Sequence, residues 1–460
     1  MATEKEEILP ITPISSAYLL PEIELIMFCA LGLANPIDVD AVKSAFSNSI
    51  LVKHPRFTSL AIKDHRGQDR WKRLPSVDMD DHIIIHHHHA AVTNSQEKED
   101  AVNAYIADIA VSTPMNRDKP LWDLHLLVGL DCLVLRVHHS IGDGESLMSM
   151  LSLCFSAMSV DGAEARKYGH DRKRQWRDRA LWSWIKSLWF TLIFALQQIG
   201  IIVGVKDKET VLSGGEGVEL WPRKVLTAKF KLEDMKAVKQ DVPNVTINDV
   251  LLGVISHGLS KYLNLKSPKG FVDNFQLTCT SMVNMRRGSL LQEDVLGTSK
   301  SSAVSGWGNK ISYFLVPILV HNGLHPLQQV RRIKAIMDRK KQSFESHLVS
   351  VSMRMHSILS LLGSRVSVWF SRRFMVNTTF LVSNIVGPRD EIVIGGNPVT
   401  YIRLTISSLP YAIVMHMVSY AGKGDLQLIF AKDVVHDPEY LAKCFEVSLS
   451  EMVNTRSAPH

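Results

Sequence analysis

The sequence predicts an α/β protein built as two lobes. Short apolar runs of strand length alternate with amphipathic stretches of helical spacing. This alternation occurs on both sides of a run at 187–205 that is apolar and carries no charged residue. A length of 460 residues is ample for two ordinary cores. With 46% apolar and 21% charged residues, the composition is that of a globular chain and excludes a disordered one.

In chain order, 9–63 holds an apolar segment around 18–33. Residues 38–53 then read as a helix with Val39, Val42, Phe46 and Ile50 on one face, ended by His54-Pro55-Arg56. Residues 80–85 are strand-like. The four histidines that follow, His86 to His89, would alternate faces in a strand, so they read as a polar strand end or loop and not as a metal site. Residues 97–112 read as a helix, and 120–137 as two strands separated by the turn Gly129-Leu130-Asp131.

The second of these strands ends in His138-His139-Ser140-Ile141-Gly142-Asp143-Gly144, and apolar residues then recur at Leu147, Met150, Leu151, Cys154, Phe155 and Met158. The stretch reads strand, glycine turn, helix. His139 shares a strand face with Leu135 and Val137, and His138 shares the other with Val134 and Arg136. A histidine at a strand end suits a general base. Asp143 can orient backbone or pair with a cation, and Gly142 and Gly144 permit backbone angles that other residues resist. An isolated His pair is more often merely buried and hydrogen-bonded. Metal binding is disfavoured, because adjacent strand residues diverge and no third ligand lies nearby.

The string HHSIGDG matches HHxxxDG, the motif of acyltransferases and condensation domains resembling chloramphenicol acetyltransferase. Pro120-Leu121-Trp122, Asn248-Asp249-Val250, Gly308-Asn309 and Ser383-Asn384-Ile385-Val386-Gly387-Pro388 narrow the match. In order and spacing the whole chain resembles the plant-type wax ester synthase/diacylglycerol acyltransferase family. The resemblance implies two chloramphenicol-acetyltransferase-like lobes with mixed sheets and a tunnel between them. It implies His139 as base, with His138, Asp143 and Gly144 completing the motif. Asn248 and Asp249 are the family's ND motif, Asn248 being a candidate oxyanion donor, and Arg286 or Arg287 is a candidate partner of Asp143.

Residues 164–186 are basic and rich in tryptophan, and 187–205 is close to the roughly 20 residues that cross a bilayer. A simple span would put the two lobes in different compartments. A monotopic, hairpin or re-entrant helix avoids this; a buried interdomain helix is the plain alternative. After a Gly-rich connector, a strand is expected at 225–232. A helix follows over 241–263, where Thr246 and Asp249 can cap, then strands at 275–284 and 311–320 and a helix at 326–341 with a basic outer face. The region 348–374 reads as apolar and helical. Strands at 380–385, 411–420 and 425–431 and a helix at 437–452 close the chain. The expected domains are an N-terminal acyltransferase lobe, 1–163, a membrane-associating linker, 164–222, and a C-terminal lobe, 223–460.

The net charge of +6 suits an anionic co-substrate or lipid surface and does not argue for nucleic acid. Five scattered cysteines without a CxxC pattern read as reduced thiols in a cytosolic environment. The acidic, polar N-terminus does not read as a secretory signal. The resemblance implies transfer of a fatty acyl group from acyl-CoA to a long-chain alcohol, or to diacylglycerol, with no cofactor beyond acyl-CoA as co-substrate. It implies membrane lipid as a partner and a place on the cytosolic face of the endoplasmic reticulum, with the plasma membrane as second candidate. Ser140 lacks the G-x-S-x-G elbow of a serine nucleophile. The alternatives are a non-catalytic lipid-binding protein of the same fold, an acyltransferase for phenolic or amine acceptors, whose DFGWG motif is missing here, and a condensation domain.

Overall fold

A computed structural model describes residues 7–88, 94–156, 181–215, 217–266, 275–286, 307–321, 323–344, 369, 372–407, 409–435 and 437–455. The strands are β1 (Ile8–Pro10), β2 (Ile26–Leu33), β3 (Ser59–Lys63), β4 (Asp69–Arg73), β5 (Ile83–His87), β6 (Trp122–Val128), β7 (Cys132–His138), β8 (Arg223–Lys231), β9 (Phe275–Asn284), β10 (Ile311–Val320), β11 (Phe380–Val386), β12 (Val393–Ile394), β13 (Asn397–Ile406), β14 (Ile413–Tyr420) and β15 (Lys423–Ala431). The helices used below are α1 (Pro13–Tyr18), α2 (Val39–Ser47), α3 (Ser95–Ser112), α4 (Gly144–Phe155), α5 (Leu181–Val203), α6 (Leu232–Asp241), α7 (Ile247–Lys266), α8 (Pro326–Gln342) and α9 (Pro438–Asn454).

The chain forms two compact units, each with an α/β architecture. The first comprises Met1–Arg172, Asn284–Ile311 and Ile385–Ser408, and the second comprises the rest. This division differs from the expected contiguous lobes, because parts of 223–460 belong to the first unit. The reason is strand pairing. β13 lies antiparallel to β2 from Val399 opposite Leu33 to Ile406 opposite Met27, and β2 lies against β7. Residues 389–410 carried no expected element, yet they supply a strand of the sheet that delivers the histidines.

The sheet of the first unit runs β12-β13-β2-β7-β6-β5 and is mixed, with β5 parallel to β6. β2, β6 and β7 are near-continuous apolar runs because both faces are covered. Their buried polar residues pair with one another. Arg136 forks onto Asp123 at 2.7 and 2.6 Å, directly across the ladder. His125 Nε2 lies 2.9 Å from the same carboxylate. Burial would raise the Asp123 pKa, but these bonds hold it well below the usual range. His86 and His87 close β5, and His86 meets the Tyr105 hydroxyl of α3 at 2.7 Å. His89 lies outside the described residues, among which no group of three His, Cys, Asp or Glu could hold a metal ion.

The second unit has a mixed sheet in the order β10-β9-β11-β14-β15-β8, with β11 parallel to β9. Helices α6 to α9 contribute Met235, Val250, Leu251, Val254, Leu259, Val330 and Phe445 to its core, beside Leu277, Val316, Met415 and Leu428 of the strands. Most of the expected apolar stretch at 348–374 lies outside the described residues.

Candidate active site

β7 sets the site. The His138 N–H donates to Leu121 O (3.0 Å), and the His139 N–H donates to Leu25 O (2.8 Å), so the backbone at the end of β7 is held from both sides. Ile141 N–H then donates back to His138 O at 3.0 Å, closing the turn. His138, His139, Ser140, Ile141 and Asp143 are all buried.

The two histidines have different chemistry. His138 Nδ1 accepts from the Ser140 N–H (3.2 Å) and faces the Ser140 hydroxyl at 2.7 Å. A backbone N–H can only donate, so the proton of neutral His138 sits on Nε2. Burial, with the positive charge of Arg117 and the neighbouring His139 adding to it, pushes the His138 pKa down to about 3. Neither ring nitrogen is then a free base.

His139 is arranged the other way. Asn309 Nδ2 donates to the His139 carbonyl at 2.7 Å and to Ser15 Oγ at 3.0 Å. Because that carbonyl can only accept, the amide orientation is determined, and Asn309 Oδ1 faces His139 Nδ1 at 2.9 Å. The Nδ1 therefore carries the proton and Nε2 keeps its lone pair. The Tyr18 ring packs 4.7 Å from the imidazole. Burial lowers the His139 pKa, against Asp143, the backbone carbonyl and Asn309, which raise it. The net direction is down, which keeps the ring neutral near pH 7.

Asp143 caps α4, accepting from the Ser146 N–H at 3.0 Å. Its two oxygens also receive Arg286 Nη2 and Nη1, each at 2.9 Å, and the Lys310 N–H at 2.9 Å. Arg286 thus supplies a bidentate partner; Arg287 lies outside the described residues. Gly142 and Gly144, which permit such angles, do not adopt left-handed backbone. Close approach is what constrains Gly144, since a Cβ there would lie 2.8 Å from Ile385 Cδ1. Left-handed backbone appears instead at Gly308, with φ of 101°, where a Cβ would meet the Arg56 guanidinium at 2.8 Å.

Three residues had no site role in the sequence reading. Asn309 orients His139. Arg56 Nη1 and Trp307 Nε1 both donate to Ile141 O at 2.9 Å and pin the motif turn. Burial pushes the Arg56 pKa down to about 10, with Asp143 opposing. The one signal for Asn309 is a polar Gly-Asn pair placed directly before the apolar run of β10. Arg56, in a short 3₁₀ helix at Pro55–Thr58, and Trp307 give none, because each is remote from the motif in sequence.

Asn248 and Asp249 lie in the second unit, at the start of α7. Asp249 Oδ2 accepts from the Thr246 N–H (2.9 Å) and hydroxyl (2.8 Å), while Thr246 Oγ1 accepts from the Asp249 N–H at 3.2 Å. This reciprocal pair is a capping box with Asp in place of Glu. Asn248 is half-buried.

Two family models match the chain. The wax ester synthase/diacylglycerol acyltransferase catalytic domain covers residues 33–214, and the C-terminal domain of the same family covers 307–453. The chain belongs to the wax ester synthase/diacylglycerol acyltransferase family. Among its relatives in Arabidopsis thaliana, wax ester synthase/diacylglycerol acyltransferase 11 is 31% identical, with 95% of this chain and 93% of that one aligned. Number 10 of the same series is 30% identical over 99% of each chain. The solved wax ester synthase/diacylglycerol acyltransferase from Marinobacter aquaeolei VT8 shares the fold, with a TM-score of 0.60 at 16% identity, covering 98% of this chain and 100% of that one. The first condensation domain of the calcium-dependent antibiotic synthetase also shares it, with a TM-score of 0.57 at 12% identity, covering 96% of each chain. Such distant likeness carries the fold alone. Membership of the family makes the chain an acyltransferase, and both segments that meet in the motif turn, 138–144 and 307–310, fall inside the matched domains.

Proposed function

We propose that this acyltransferase moves a fatty acyl group from acyl-CoA to the hydroxyl of a long-chain alcohol, making a wax ester, and to diacylglycerol as second acceptor, making triacylglycerol. His139 Nε2 takes the hydroxyl proton while the acceptor oxygen bonds to the thioester carbonyl carbon. The tetrahedral intermediate then breaks its C–S bond, and the proton on Nε2 passes to the CoA sulfur. The thioester is already activated, so no covalent enzyme intermediate is required, and the Ser140 hydroxyl is engaged with His138. The oxyanion needs a donor, and the resemblance to the family puts Asn248 forward for it. His138, Asp143 and Gly144 act by holding the turn.

The observation that carries this reading is the His139–Asn309 pair, which leaves a buried, neutral imidazole with its Nε2 lone pair available. The reaction joins a water-soluble donor to a lipid acceptor, so its place is a membrane surface reached by acyl-CoA, for which we propose the cytosolic face of the endoplasmic reticulum. The test uses the full-length protein with one acyl-CoA, a panel of long-chain alcohols, and diacylglycerol. His139→Ala should lower turnover by about 10²–10⁴-fold, the usual share of a general base, in a protein that still unfolds cooperatively. Near-normal turnover in a folded variant would remove His139 from the role. Turnover with neither alcohols nor diacylglycerol would overturn the substrate assignment, and cell fractionation tests the location.

A further inference from the structure

Helix α5 is long and apolar enough to cross a membrane, yet one of its faces is already occupied. Ser187, Phe194 and Ile201, spaced seven apart, are buried, so one stripe faces the second unit. Phe194 and Ile201 pack with Leu315, beside Tyr313 and Phe374. Polar contacts run along the same stripe. Ser187 Oγ donates to Gln342 O at 2.7 Å, the Phe344 N–H to Thr191 Oγ1 at 2.9 Å, the Tyr313 hydroxyl to Gln198 Oε1 at 3.2 Å and Asn377 Nδ2 to Ile201 O at 2.7 Å. All these partners belong to the second unit. They are distributed over most of the helix, so α5 lies along that unit. A span would carry these polar groups into hydrocarbon or strip them of their partners, and either is costly.

The opposite stripe is Ile185, Trp189, Leu192, Leu196, Ile199 and Val203, each between 46% and 75% exposed. It runs roughly 27 Å at 1.5 Å per residue, an unusually large apolar surface to leave in water. Its surroundings are basic. Lys186, Lys206, Lys208 and Arg373 are exposed near its ends, with Lys206 paired to the exposed Glu209, and the sequence preceding the helix holds Arg172, Lys173, Arg174, Arg177 and Arg179 against Asp171 and Asp178. An apolar stripe with a tryptophan near one end and a cationic border matches the chemistry of an anionic lipid surface. We propose that α5 is a membrane-docking helix lying in the plane of an anionic bilayer surface, with its outer stripe among the acyl chains and its basic border among the headgroups.

Because this rests on the lipid-acceptor reading, the test measures binding and depth, not turnover, so that either can fail alone. Full-length protein is sedimented with vesicles of phosphatidylcholine, with and without phosphatidylserine. Binding should be stronger to the anionic vesicles and weaken with salt. Trp189→Asp with Leu196→Asp should reduce it at least about tenfold, with an unchanged melting temperature because both side chains are exposed. Single cysteines at Ile185, Leu192, Leu196 and Val203, carrying a fluorophore quenched by brominated lipids, should all report one shallow depth. The native cysteines are buried or half-buried and offer little competing reactivity. Labels deepest at Leu192 and shallow at both ends would show a span and overturn the proposal. So would a dimer dissolved by the same double variant without any vesicle binding.

Discussion

Replacing Asp143 by Asn should destabilise the first unit by several kcal/mol as well as lower its activity. Four N–H donors converge on the carboxylate, two on each oxygen. An amide keeps one oxygen, so whichever way it is oriented two donors face an NH₂ group. Hydrogen bonds of a charged pair contribute about 1.5–3 kcal/mol each, and breaking a buried ion pair costs about 3–5 kcal/mol. Both routes give about 4 kcal/mol, since Arg286 and Asp143 are only 3% and 2% exposed. At about 2–4 °C per kcal/mol for a unit of this size, the melting temperature should fall by about 10 °C. The assay is thermal unfolding of Asp143→Asn, Arg286→Gln and the double variant, with esterification measured in parallel. Arg286→Gln alone should be comparably damaging because it leaves a buried carboxylate uncompensated. The double variant should be less destabilised than the sum, by about 1–3 kcal/mol of coupling. Activity lost at an unchanged melting temperature would refute a structural role and assign Asp143 a direct chemical one.

Asn309→Ala should lower kcat about tenfold, the value of one lost hydrogen bond, with KM for acyl-CoA nearly unchanged; a change confined to KM would mean that Asn309 contacts substrate instead. Gly144→Ala should cost about 1–3 kcal/mol by overpacking, and Ile385→Val, which removes the clashing Cδ1, should recover most of it. Failure of that rescue would point to a backbone requirement. Acid should destabilise the fold through His54 and His138, whose pKa values burial pushes down to about 3. Their folded forms bind fewer protons than the unfolded chain, so stability is full above pH 6.5 and falls as pH drops from there toward 3. At pH 5 the two together should cost about 4 kcal/mol in denaturant unfolding, and a pH-independent midpoint would contradict their burial as neutral rings. The lowered His139 pKa puts the acid limb of the rate profile below pH 6.5.

Much of this protein is determined by local sequence. Apolar runs of strand length mark β9 and β10 at their observed bounds, and the period-3.6 pattern locates α8 and α9 closely, because such a run or stripe is buried whatever its partner is. The motif strand, turn and helix follow from the residues themselves: an apolar run, a glycine-containing turn that ends in Asp143, and an amphipathic continuation. The family was legible for the same reason, since its motifs are short and contiguous.

What only the tertiary structure decided are the pairings between remote segments. β13 escapes local reading because its membership in the first sheet depends on β2, more than 360 residues earlier in the register Leu33 to Val399. Asn309, Trp307 and Arg56 become site residues only when segments remote in sequence converge on one turn, and hydrogen-bond geometry then assigns the protons of the two adjacent histidines. Hydropathy likewise reports how apolar α5 is but not which side is taken. The buried stripe at Ser187, Phe194 and Ile201 is a property of its contact with the second unit, and that contact leaves the other face to be covered by something else.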